Sequence, residues 1–454
     1  MTARWINRLA GFVAETPFTA IPADVREGGR LILADCIACS VAGNGVAEMR
    51  SLARTVSLPG PALVLGTSRR VPAVDAAALN GTAGTWHDLD EGNLHTKGHA
   101  GIQIVPAALA EAERLGRSGG ELLAAVVLAY EASCRIYRAC RARLAIHPHG
   151  TYGPIAAALA VGRLRGLDAT ALADIVNLAA ALGVPASRGT LNDGATVRNV
   201  YTGMSGRQGF LVHDLAASGF TGEADAVSSV FGRILGEAFD PALVCEKLGR
   251  TWWIRRNYFK RFASARYIHS ALDLVEVIAQ RSGMPAPAAI ERIDVETYFM
   301  AATMAQQRVA TAFGTRFSIP FAVASLIRRG GHDLTADGTA DFADPVVRRL
   351  ARRVFVQEKP ACTAAYPTRQ ETRVTIRLRD GRVESASASH IRGEAENPLG
   401  EAELAAKFVA LASSAWGARN AQAAWVQLAQ VEQLRSVRTL TARWQDYADK
   451  GRPR

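Results

Sequence analysis

Residues 119–140, GGELLAAVVLAYEASCRIYRAC, show most clearly which class of fold this chain adopts. Apolar side chains recur at spacings of three and four residues, which predicts a helix. They cover nearly all sides of that helix, so we expect it to lie inside a large bundle rather than on a surface. The same pattern, interrupted by Gly, Pro or Asp, recurs at residues 30–43, 74–86, 105–116, 151–166 and 169–183. We therefore predict that residues 5 to about 255 are helical.

The pattern of the sequence changes near residue 260. Three segments alternate between apolar and polar residues as strands do: ERIDVETYF (291–299), TRVTIRLRDG (372–381) and RVESASASH (382–390). The last two meet at Asp380-Gly381, a dipeptide that favours a tight hairpin turn. Helical patterns are interleaved with these strands, at residues 265–280 and 320–331. This mixture indicates an α+β domain.

Helical sequence returns in two segments after Asn397-Pro398. The chain is thus predicted to be mainly α with an α+β part. We expect one large helical domain built from both ends of the chain, residues 1–258 and 396–454, and an α+β lid domain inserted at 259–395. A cleft between two such domains is the usual place for a small-molecule site.

Length and charge limit the class of protein. The 454 residues are enough for two domains, and the formal charge is +11 at pH 7. The basic residues are scattered rather than gathered in a dense run, so no nucleic-acid partner is predicted. The excess of positive charge has two interpretations. It can reflect no more than the use of Arg as a surface residue, or it can produce a positive field that attracts anionic metabolites.

The sequence carries neither a targeting signal nor a membrane span that we can identify. Residues 1–18, MTARWINRLAGFVAETPF, lack the charged start, long apolar core and cleavage site of a signal peptide. No window of eighteen uninterrupted apolar residues predicts a membrane span. We therefore expect a cytoplasmic protein with no membrane partner.

Two of the six cysteines, Cys36 and Cys39, form a C-x-x-C motif. Such a motif can indicate a metal or redox site. Here it lies inside an apolar helical pattern, and no second pair has matching spacing. We predict buried core thiols, because free cysteine packs as a small hydrophobic residue.

A loop rich in ionisable residues lies between two predicted helices. The segment GTWHDLDEGNLHTKGHAG, residues 84–101, holds three histidines and three acids: His87, His95, His99, Asp88, Asp90 and Glu91. Such residues on a loop are a stronger indication of function than the same residues on a helix face. A solvated acidic loop and a divalent metal site are the alternatives. No H-x-x-x-H on a helix supports the metal, and we predict none.

Two further segments carry polar residues next to helices. IHPHGTYGP (146–154) contains His147, His149 and Tyr152, and a predicted helix begins near Tyr152. A helix N-terminus suits a carboxylate, although His149 could equally be a structural loop residue. GATVRNVYTGMSGRQG (194–209) contains Arg198 and Tyr201, and Arg is suited to bidentate recognition of a carboxylate.

A fourth segment lies where the helical pattern gives way to the mixed one. RRNYFKRFASARYIHSALD (255–273) holds Tyr258, Lys260, Arg266 and His269. A lysine in an apolar and cationic setting can have its pKa lowered and act as a base. As a run of charge alone, the segment would be a solvated surface.

Together these four segments resemble the MmgE/PrpD family. The shared features are the acidic loop, an H-P before G-T-x-G-x-x-A-A-A, an R-x-x-Y-x-G-x-x-x-x-x-G, and a K-R-F followed by a later His. The resemblance extends to FSIPFAVASLI (317–327) and ENPLGEAELAAKF (396–408), and so covers nearly the whole chain. The family includes 2-methylcitrate dehydratase, cis-aconitate decarboxylase and iminodisuccinate epimerase. It implies a homodimer, a helical domain with a lid, and no cofactor.

The resemblance assigns positions in the acidic loop. Asp88 matches the first acid of the family's D-F-D-D-T, which reads D-L-D-E-G here, and Asp90 and Glu91 follow it. His99 matches the His of the family's H-P-S or H-P-G, with Ala100 in place of the Pro.

Outside that loop, His147 matches the His before G-T-x-G, and Lys260 matches the Lys of the family's K-x-Y/F-P. Arg198 stands where the family usually has Lys, and Tyr201 where it often has His. Gly92 replaces a Thr, and residues 263–265, Ala-Ser-Ala, replace the usual Pro-x-Cys or Pro-x-His. These departures lie at the positions that the resemblance assigns to the substrate site.

The resemblance implies that a proton is removed from, or delivered to, carbon next to a carboxylate. The predicted catalytic residues are Lys260, His99, His147, Asp88 and Tyr152, of which Lys260 and His99 are expected to act as acid and base. The residues predicted to bind a small polycarboxylate are Arg198, Tyr201, Arg266, Asp90 and His95. Dehydration of a 2-methylcitrate-like acid is the leading expectation. Epimerisation of a dicarboxylate such as iminodisuccinate is the alternative, followed by decarboxylation or a non-catalytic binding role.

Overall fold

The computed structural model describes residues 2–331, 334 and 338–450. Twelve α-helices precede residue 250 in this part of the chain: α1 Arg4–Glu15, α2 Ala23–Asn44, α3 Ala47–Arg54, α4 Ala73–Gly84, α5 Ala100–Leu115, α6 Gly119–Ala139, α7 Gly153–Arg165, α8 Ala169–Ala181, α9 Gly189–Asn192, α10 Val197–Ala217, α11 Ala226–Ser229 and α12 Pro241–Cys245. Three pairs of short strands connect them: β1 Ala62–Leu63 with β2 Arg70–Val71, β3 Gly92–Asn93 with β6 Asn257–Tyr258, and β4 Cys140–Ala142 with β5 Gly236–Phe239.

The region from 260 to 395 mixes helices and strands. Its helices are α13 His269–Ser282, α14 Phe299–Ala302, α15 Ile319–Arg329, α16 Thr339–Ala343, α17 Pro345–Ala351 and α18 Pro360–Ala365. Its strands are β7 Ile290–Thr297, β8 Val354–Glu358, β9 Thr372–Leu378 and β10 Val383–Ala388, which form one sheet in the order β10-β9-β7-β8. Three more helices follow: α19 Glu401–Trp416, α20 Ala418–Ala429 and α21 Arg438–Lys450.

The predicted hairpin forms as the Asp380-Gly381 dipeptide indicated. Strands β9 and β10 are antiparallel, with Val383 opposite Arg377 and Ala388 opposite Thr372. Gly381 adopts a φ of +90°, a backbone conformation that is easy only for glycine. The sequence analysis did not identify β8, which pairs in parallel with β7 at the edge of the sheet. Its sequence, VFVQE, is too short to show a clear alternation.

Local sequence signals set the ends of the central helices. Helix α6 begins after Ser118, whose hydroxyl accepts from the Glu121 N–H while Glu121 accepts from the Ser118 N–H, a capping box. Helix α7 has Pro154 in its first turn and ends at Gly166 in the left-handed conformation. Both helices are buried on nearly all sides, as their apolar patterns predicted.

Two large hydrophobic cores divide the chain. The first is built from residues between 5 and 259 together with residues 404–448, so both chain ends contribute to it. Within it, Trp416 and Trp444 stack with ring centroids 5.6 Å apart. The second core is built from residues between 262 and 378. The fold is mainly α with a smaller β component. The inserted lid at 259–395 stays a prediction, and the predicted domains also include residues 1, 332, 333, 335–337 and 451–454, which lie outside the described residues.

The cysteines and the apolar helices bear on the predictions of buried thiols and of no membrane span. Cys36 and Cys39 are free and buried in α2, as predicted. In the described part of the chain, no single helix is long and apolar enough to cross a membrane; only the pair α2 and α3, bent by 86°, passes by length and composition.

Candidate active site

A small polar cavity of about 60 Å³ lies where the two cores meet. The acidic loop, the 147–149 turn and α10 form one side, and residues 258–267 with Met304 and Phe317 form the other. The four polar segments identified in the sequence thus converge on one cavity. Asp88, His99, His147, Arg198, Lys260 and Arg266 all line it.

The acidic loop is fastened directly to the segment that carries Lys260. Strand β3 pairs with β6 so that Gly92 lies opposite Tyr258 and Asn93 opposite Asn257. A Cβ atom at Gly92 would collide with the Tyr258 hydroxyl. This contact explains in physical terms why glycine replaces the threonine expected from the resemblance, because Tyr258 occupies the space that a side chain would need.

Asp88 joins two cations from different elements. Its Oδ1 lies 2.6 Å from Nη2 of Arg198 and 3.1 Å from Nζ of Lys260, and all three residues are buried. Lys260 also donates to the Asp88 carbonyl oxygen at 2.8 Å. Asp88 has a φ of +51°, a strained region for most residues that Asp and Asn tolerate better than others. One carboxylate between two buried cations leaves an excess of positive charge.

Asp90 pairs with His99 on the opposite side of the loop. Oδ2 of Asp90 lies 3.0 Å from Nδ1 of His99, although the ring is not aligned for a straight hydrogen bond. Burial alone would raise the pKa of Asp90, but His99 first, then Lys260 and Arg198, lower it well below its usual value. Nε2 of His99 faces the Tyr258 hydroxyl at 3.5 Å. An ionised Asp90 can thus hold His99 in the tautomer whose Nε2 carries a lone pair.

Two more histidines complete this wall of the cavity. The His149 ring lies 4.5 Å from that of His147 and 4.9 Å from that of His99, measured between centroids. Burial, and next the charge of Arg198, lower the pKa of both His147 and His149, so both rings are neutral near pH 7. Nδ1 of His147 accepts from the His149 N–H. Neither ring nitrogen of the buried His149 has a hydrogen-bond partner in the described part of the chain.

Tyr258 and Arg266 close the opposite wall. The Arg266 guanidinium lies over the Tyr258 ring, 4.6 Å from its centroid, and 3.2 Å from Oε1 of Glu394. Burial raises the pKa of Tyr258 well above its usual value, although Arg266 opposes this, so the phenol keeps its proton. Among the described residues, one acid, Asp88, and five basic side chains line the cavity: Lys97, Arg188, Arg198, Lys260 and Arg266.

Four predicted site residues do not line this cavity: Tyr152, His95, Tyr201 and Asp90. The Tyr152 hydroxyl donates to Sγ of Cys140 at 2.8 Å, and its ring packs between Tyr137 and Phe231. His95 is half-buried, with its ring 6.0 Å from that of Trp253. The Tyr201 ring lies 6.0 Å from that of His147, which does line the cavity. Asp90 lies next to a lining residue, its Oδ2 being 3.0 Å from Nδ1 of His99, but does not line the cavity itself.

His149, Tyr258 and Arg188 are among the lining residues that were not predicted as site residues. His149 was considered and left as a possible loop residue. Tyr258 is two positions before Lys260, and residues two apart in an extended segment share a face, a signal that could have identified it. Arg188 lies on an irregular loop whose sequence gives no indication of where its side chain goes.

Two cavity histidines and the neighbouring Asp90 have the geometry of a metal site. Ligand atoms of Asp90, His99 and His149 lie within 4.8 Å of one another, a grouping that their separation in sequence does not reveal. The surroundings are unfavourable for a cation, because the charges of Lys260 and Arg198 act on the same carboxylate. The charge of the cavity fits an anion better.

Buried polar contacts to α2, α5, α6 and α19 support the acidic loop. Lys407, on α19, donates to Oδ1 of Asp35 at 2.6 Å and to the Leu89 carbonyl oxygen at 2.7 Å. The other Asp35 oxygen accepts from the Glu91 N–H at 2.9 Å. Glu91 accepts from the Tyr130 hydroxyl at 2.7 Å and from a backbone N–H of α5. The loop conformation therefore depends on residues from the N-terminal, central and C-terminal helices.

Several characterised proteins are similar to this chain. The cis-aconitate decarboxylase of Aspergillus terreus (strain NIH 2624 / FGSC A1156) is 26% identical over 284 residues, 58% of this chain and 57% of that protein. The cis-aconitate decarboxylase-like protein oryM of Aspergillus oryzae is 26% identical over 297 residues, 59% of this chain and 60% of its own length. The human cis-aconitate decarboxylase is 22% identical over 365 residues, 76% of this chain and 73% of its own. The matched region thus spans less than two thirds of the Aspergillus proteins.

Two family models match the chain. The MmgE/PrpD N-terminal domain matches residues 7–235, which include the acidic loop, the 147–149 turn and α10. The MmgE/PrpD C-terminal domain matches residues 262–433, which include the second core and α19. Since the two matches together cover most of the chain, and since the residues that carried the resemblance meet in one buried cavity, the protein belongs to the MmgE/PrpD family.

Proposed function

We propose that this protein is a lyase that acts on a small polycarboxylate through proton transfer at carbon next to a carboxylate. The observation that supports this most directly is the composition of the cavity, where five basic side chains surround one acid beside a histidine–aspartate pair. A substrate with two or three carboxylates would balance the excess positive charge. The names of the relatives agree with chemistry on a carboxylic acid.

His99 is the base in this proposal. Asp90, which stays ionised, orients the ring through Nδ1 and stabilises the imidazolium that forms when Nε2 takes a proton. His147 and His149 are neutral neighbours and so do not repel that new charge. A positioned base of this kind contributes about 100- to 10,000-fold to the rate.

Lys260 and Arg198 stabilise the enediolate that proton removal creates. Two of the three N–H groups of Lys260 are used by Asp88, which leaves one for a substrate carboxylate. Nε of Arg198 is buried and has no hydrogen-bond partner among the described residues. Donors fixed in a buried site contribute a few kcal/mol each to the transition state, about 3 kcal/mol for one oxyanion donor.

Dehydration is the leading reaction in this proposal. The Tyr258 phenol keeps its proton and lies 3.5 Å from Nε2 of His99, and in this proposal it donates a proton to the departing hydroxyl group. Decarboxylation is the second candidate, because the relatives matched here are named for it. Epimerisation needs acid–base groups on both faces of the carbon, with Lys260 as the second group. The homodimer implied by the resemblance is also part of the proposal, and sedimentation velocity tests it.

Proton NMR in deuterated buffer tests the proposal, with 2-methylcitrate, cis-aconitate and iminodisuccinate as the panel. A new vinyl signal from a hydroxy acid identifies a dehydratase, and loss of carbon dioxide a decarboxylase. Deuterium uptake without net product identifies an epimerase. His99→Gln should abolish the observed change, whereas the matched control His95→Gln, in the same loop but outside the cavity, should not. Equal activity in the two variants would contradict the assignment of the base.

A further inference from the structure

A second cavity of about 220 Å³ adjoins the polar one. The two share four lining residues: Lys97, Pro148, Arg188 and Tyr267. Beyond them, the wall of the larger cavity is mostly aromatic and aliphatic, with Tyr137, Ile146, Tyr152, Met300 and Tyr366. The polar cavity, by contrast, holds His99, Lys260 and the other charged groups and has a volume of about 60 Å³.

Arg188 lies at the junction of the two cavities. No carboxylate in the described part of the chain lies within ion-pair distance of it, and its Nε is buried without a hydrogen-bond partner. Its Nη1 lies 3.9 Å from Sδ of Met300, in the larger cavity. The cation therefore has donors available for an anionic ligand at this point.

The backbone holds Arg188 in place. The His147 N–H donates to the carbonyl oxygen of Ala186 at 2.8 Å, and the Arg188 N–H donates to that of Ala145 at 2.8 Å. A β-bridge between Ile146 and Ser187 lies between these two bonds. These backbone hydrogen bonds thus fix the 186–188 loop to the turn that carries His147, and this holds the backbone of Arg188 next to the polar cavity.

We infer that the substrate is a polycarboxylate with an apolar substituent, alkyl or aryl, that occupies the larger cavity while Arg188 binds a carboxylate at the junction. This inference rests on the proposed function and narrows its substrate class. A compact acid would leave the apolar cavity empty. A substituent of several carbons would leave water and pack against the Tyr152, Met300 and Tyr366 side chains. Each methylene group buried in this way strengthens binding by about fourfold.

Isothermal titration calorimetry with a series of probes tests this inference. The probes are succinate, 2-methylsuccinate, 2-butylsuccinate and 2-benzylsuccinate. We expect the butyl and benzyl compounds to bind at least tenfold more tightly than the methyl compound. Equal affinity across the series would overturn the inference and leave the proposed carboxylate chemistry in place. No binding by any member would count against both.

Variants locate the substituent and the carboxylate. Ala142 lines only the larger cavity, so Ala142→Phe should remove the advantage of the butyl and benzyl groups and leave succinate binding unchanged. Arg188→Met should weaken every probe at least tenfold. The matched control is Arg141→Met, since Arg141 is exposed, pairs with Glu237 and lines neither cavity. A preference for long substituents that survives Ala142→Phe, or an Arg188→Met variant that binds as tightly as Arg141→Met, would overturn the inference.

Discussion

Lys260 contacts Asp88 at two atoms, its Nζ lying 2.8 Å from the backbone carbonyl oxygen and 3.1 Å from Oδ1 of the carboxylate. The contact joins the acidic loop, which belongs to the first core, to the segment that leads into the second. It also engages two of the three N–H groups that Lys260 can offer. In the proposed mechanism the third N–H binds a substrate carboxylate, and His99 is the base.

Asp88→Asn tests the charge of that contact separately from the backbone. Asn tolerates the positive φ of residue 88 about as well as Asp does, so the variant removes the charge without straining the backbone. Its activity should fall tenfold or more and its stability by about 3–5 kcal/mol, because the buried Arg198 and Lys260 lose their shared anion. Asp88→Ala should be less stable than Asp88→Asn by about a further 1 kcal/mol, since Ala is strained in this conformation. Urea unfolding and steady-state kinetics on both variants measure the two effects, and equal stability of Asn and Ala variants would show that the backbone conformation is unimportant.

Lys260→Ala and Arg198→Ala should affect kinetics differently. Lys260→Ala should lower kcat by a hundredfold or more if the ammonium group stabilises the enediolate in the transition state. Arg198→Ala should mainly raise KM if the guanidinium holds a carboxylate equally in ground and transition states. Lys260→Arg and Arg198→Lys serve as charge-preserving controls, and circular dichroism checks that each variant is folded. A Lys260→Ala enzyme with near-normal kcat would remove Lys260 from the mechanism.

Much of the fold could be predicted because local sequence and tertiary structure agree. Helix α6 shows both an apolar pattern and a capping box, and the hairpin at 380–381 carries a turn dipeptide and alternating strands. The convergence of Asp88, His99, His147, Arg198 and Lys260 came from the resemblance rather than from periodicity.

Other features depend on long-range contacts that no local pattern records. His99 and His149 are 50 positions apart in sequence, yet their ring centroids lie 4.9 Å apart. Arg188 reaches the cavity because its loop pairs with residues 145–147. Tyr152 follows directly after the H-P-x-G-T turn that begins at His147, yet its hydroxyl contacts Cys140 and its side chain lines the apolar cavity. The start of α7 thus directs two side chains five positions apart in sequence into different cavities.

Glu91 should make the stability of the protein depend on pH. Burial raises the pKa of Glu91 to about 8, although the Tyr130 hydroxyl and a backbone N–H favour the charged form. A raised pKa means that the folded state binds the proton more tightly than the unfolded state, where the value is 4.5. The resulting stability is complete below pH 4.5 and is lost as the pH rises through 8. Between pH 6 and pH 9 this loss is on the order of 2–3 kcal/mol.

Urea unfolding at pH 6 and at pH 9 measures that loss. Glu91→Gln cannot ionise, so its unfolding free energy should differ less between the two pH values than that of the unmodified protein. Glu223→Gln, at an exposed glutamate, is the matched control and should keep the full dependence. If Glu91→Gln shows the same dependence as this control, the residue does not titrate in this range.

Lys407 should stabilise the acidic loop from the C-terminal helices. The ion pair of Lys407 with Asp35 is buried, and the ammonium group also binds the Leu89 carbonyl oxygen, between Asp88 and Asp90. Lys407→Met leaves the Asp35 carboxylate buried without its partner, which costs about 3–5 kcal/mol.

The double variant Asp35→Asn with Lys407→Met carries no unpaired charge and keeps an oxygen that can accept from the Glu91 N–H. It should therefore recover more than half of the lost stability. A double-mutant cycle by urea unfolding measures this coupling, and additive losses would show that the two side chains act independently. Because the loop carries His99 at its end, the single variant should also lose activity at temperatures where it remains folded, whereas a purely structural role would leave the activity per folded molecule unchanged.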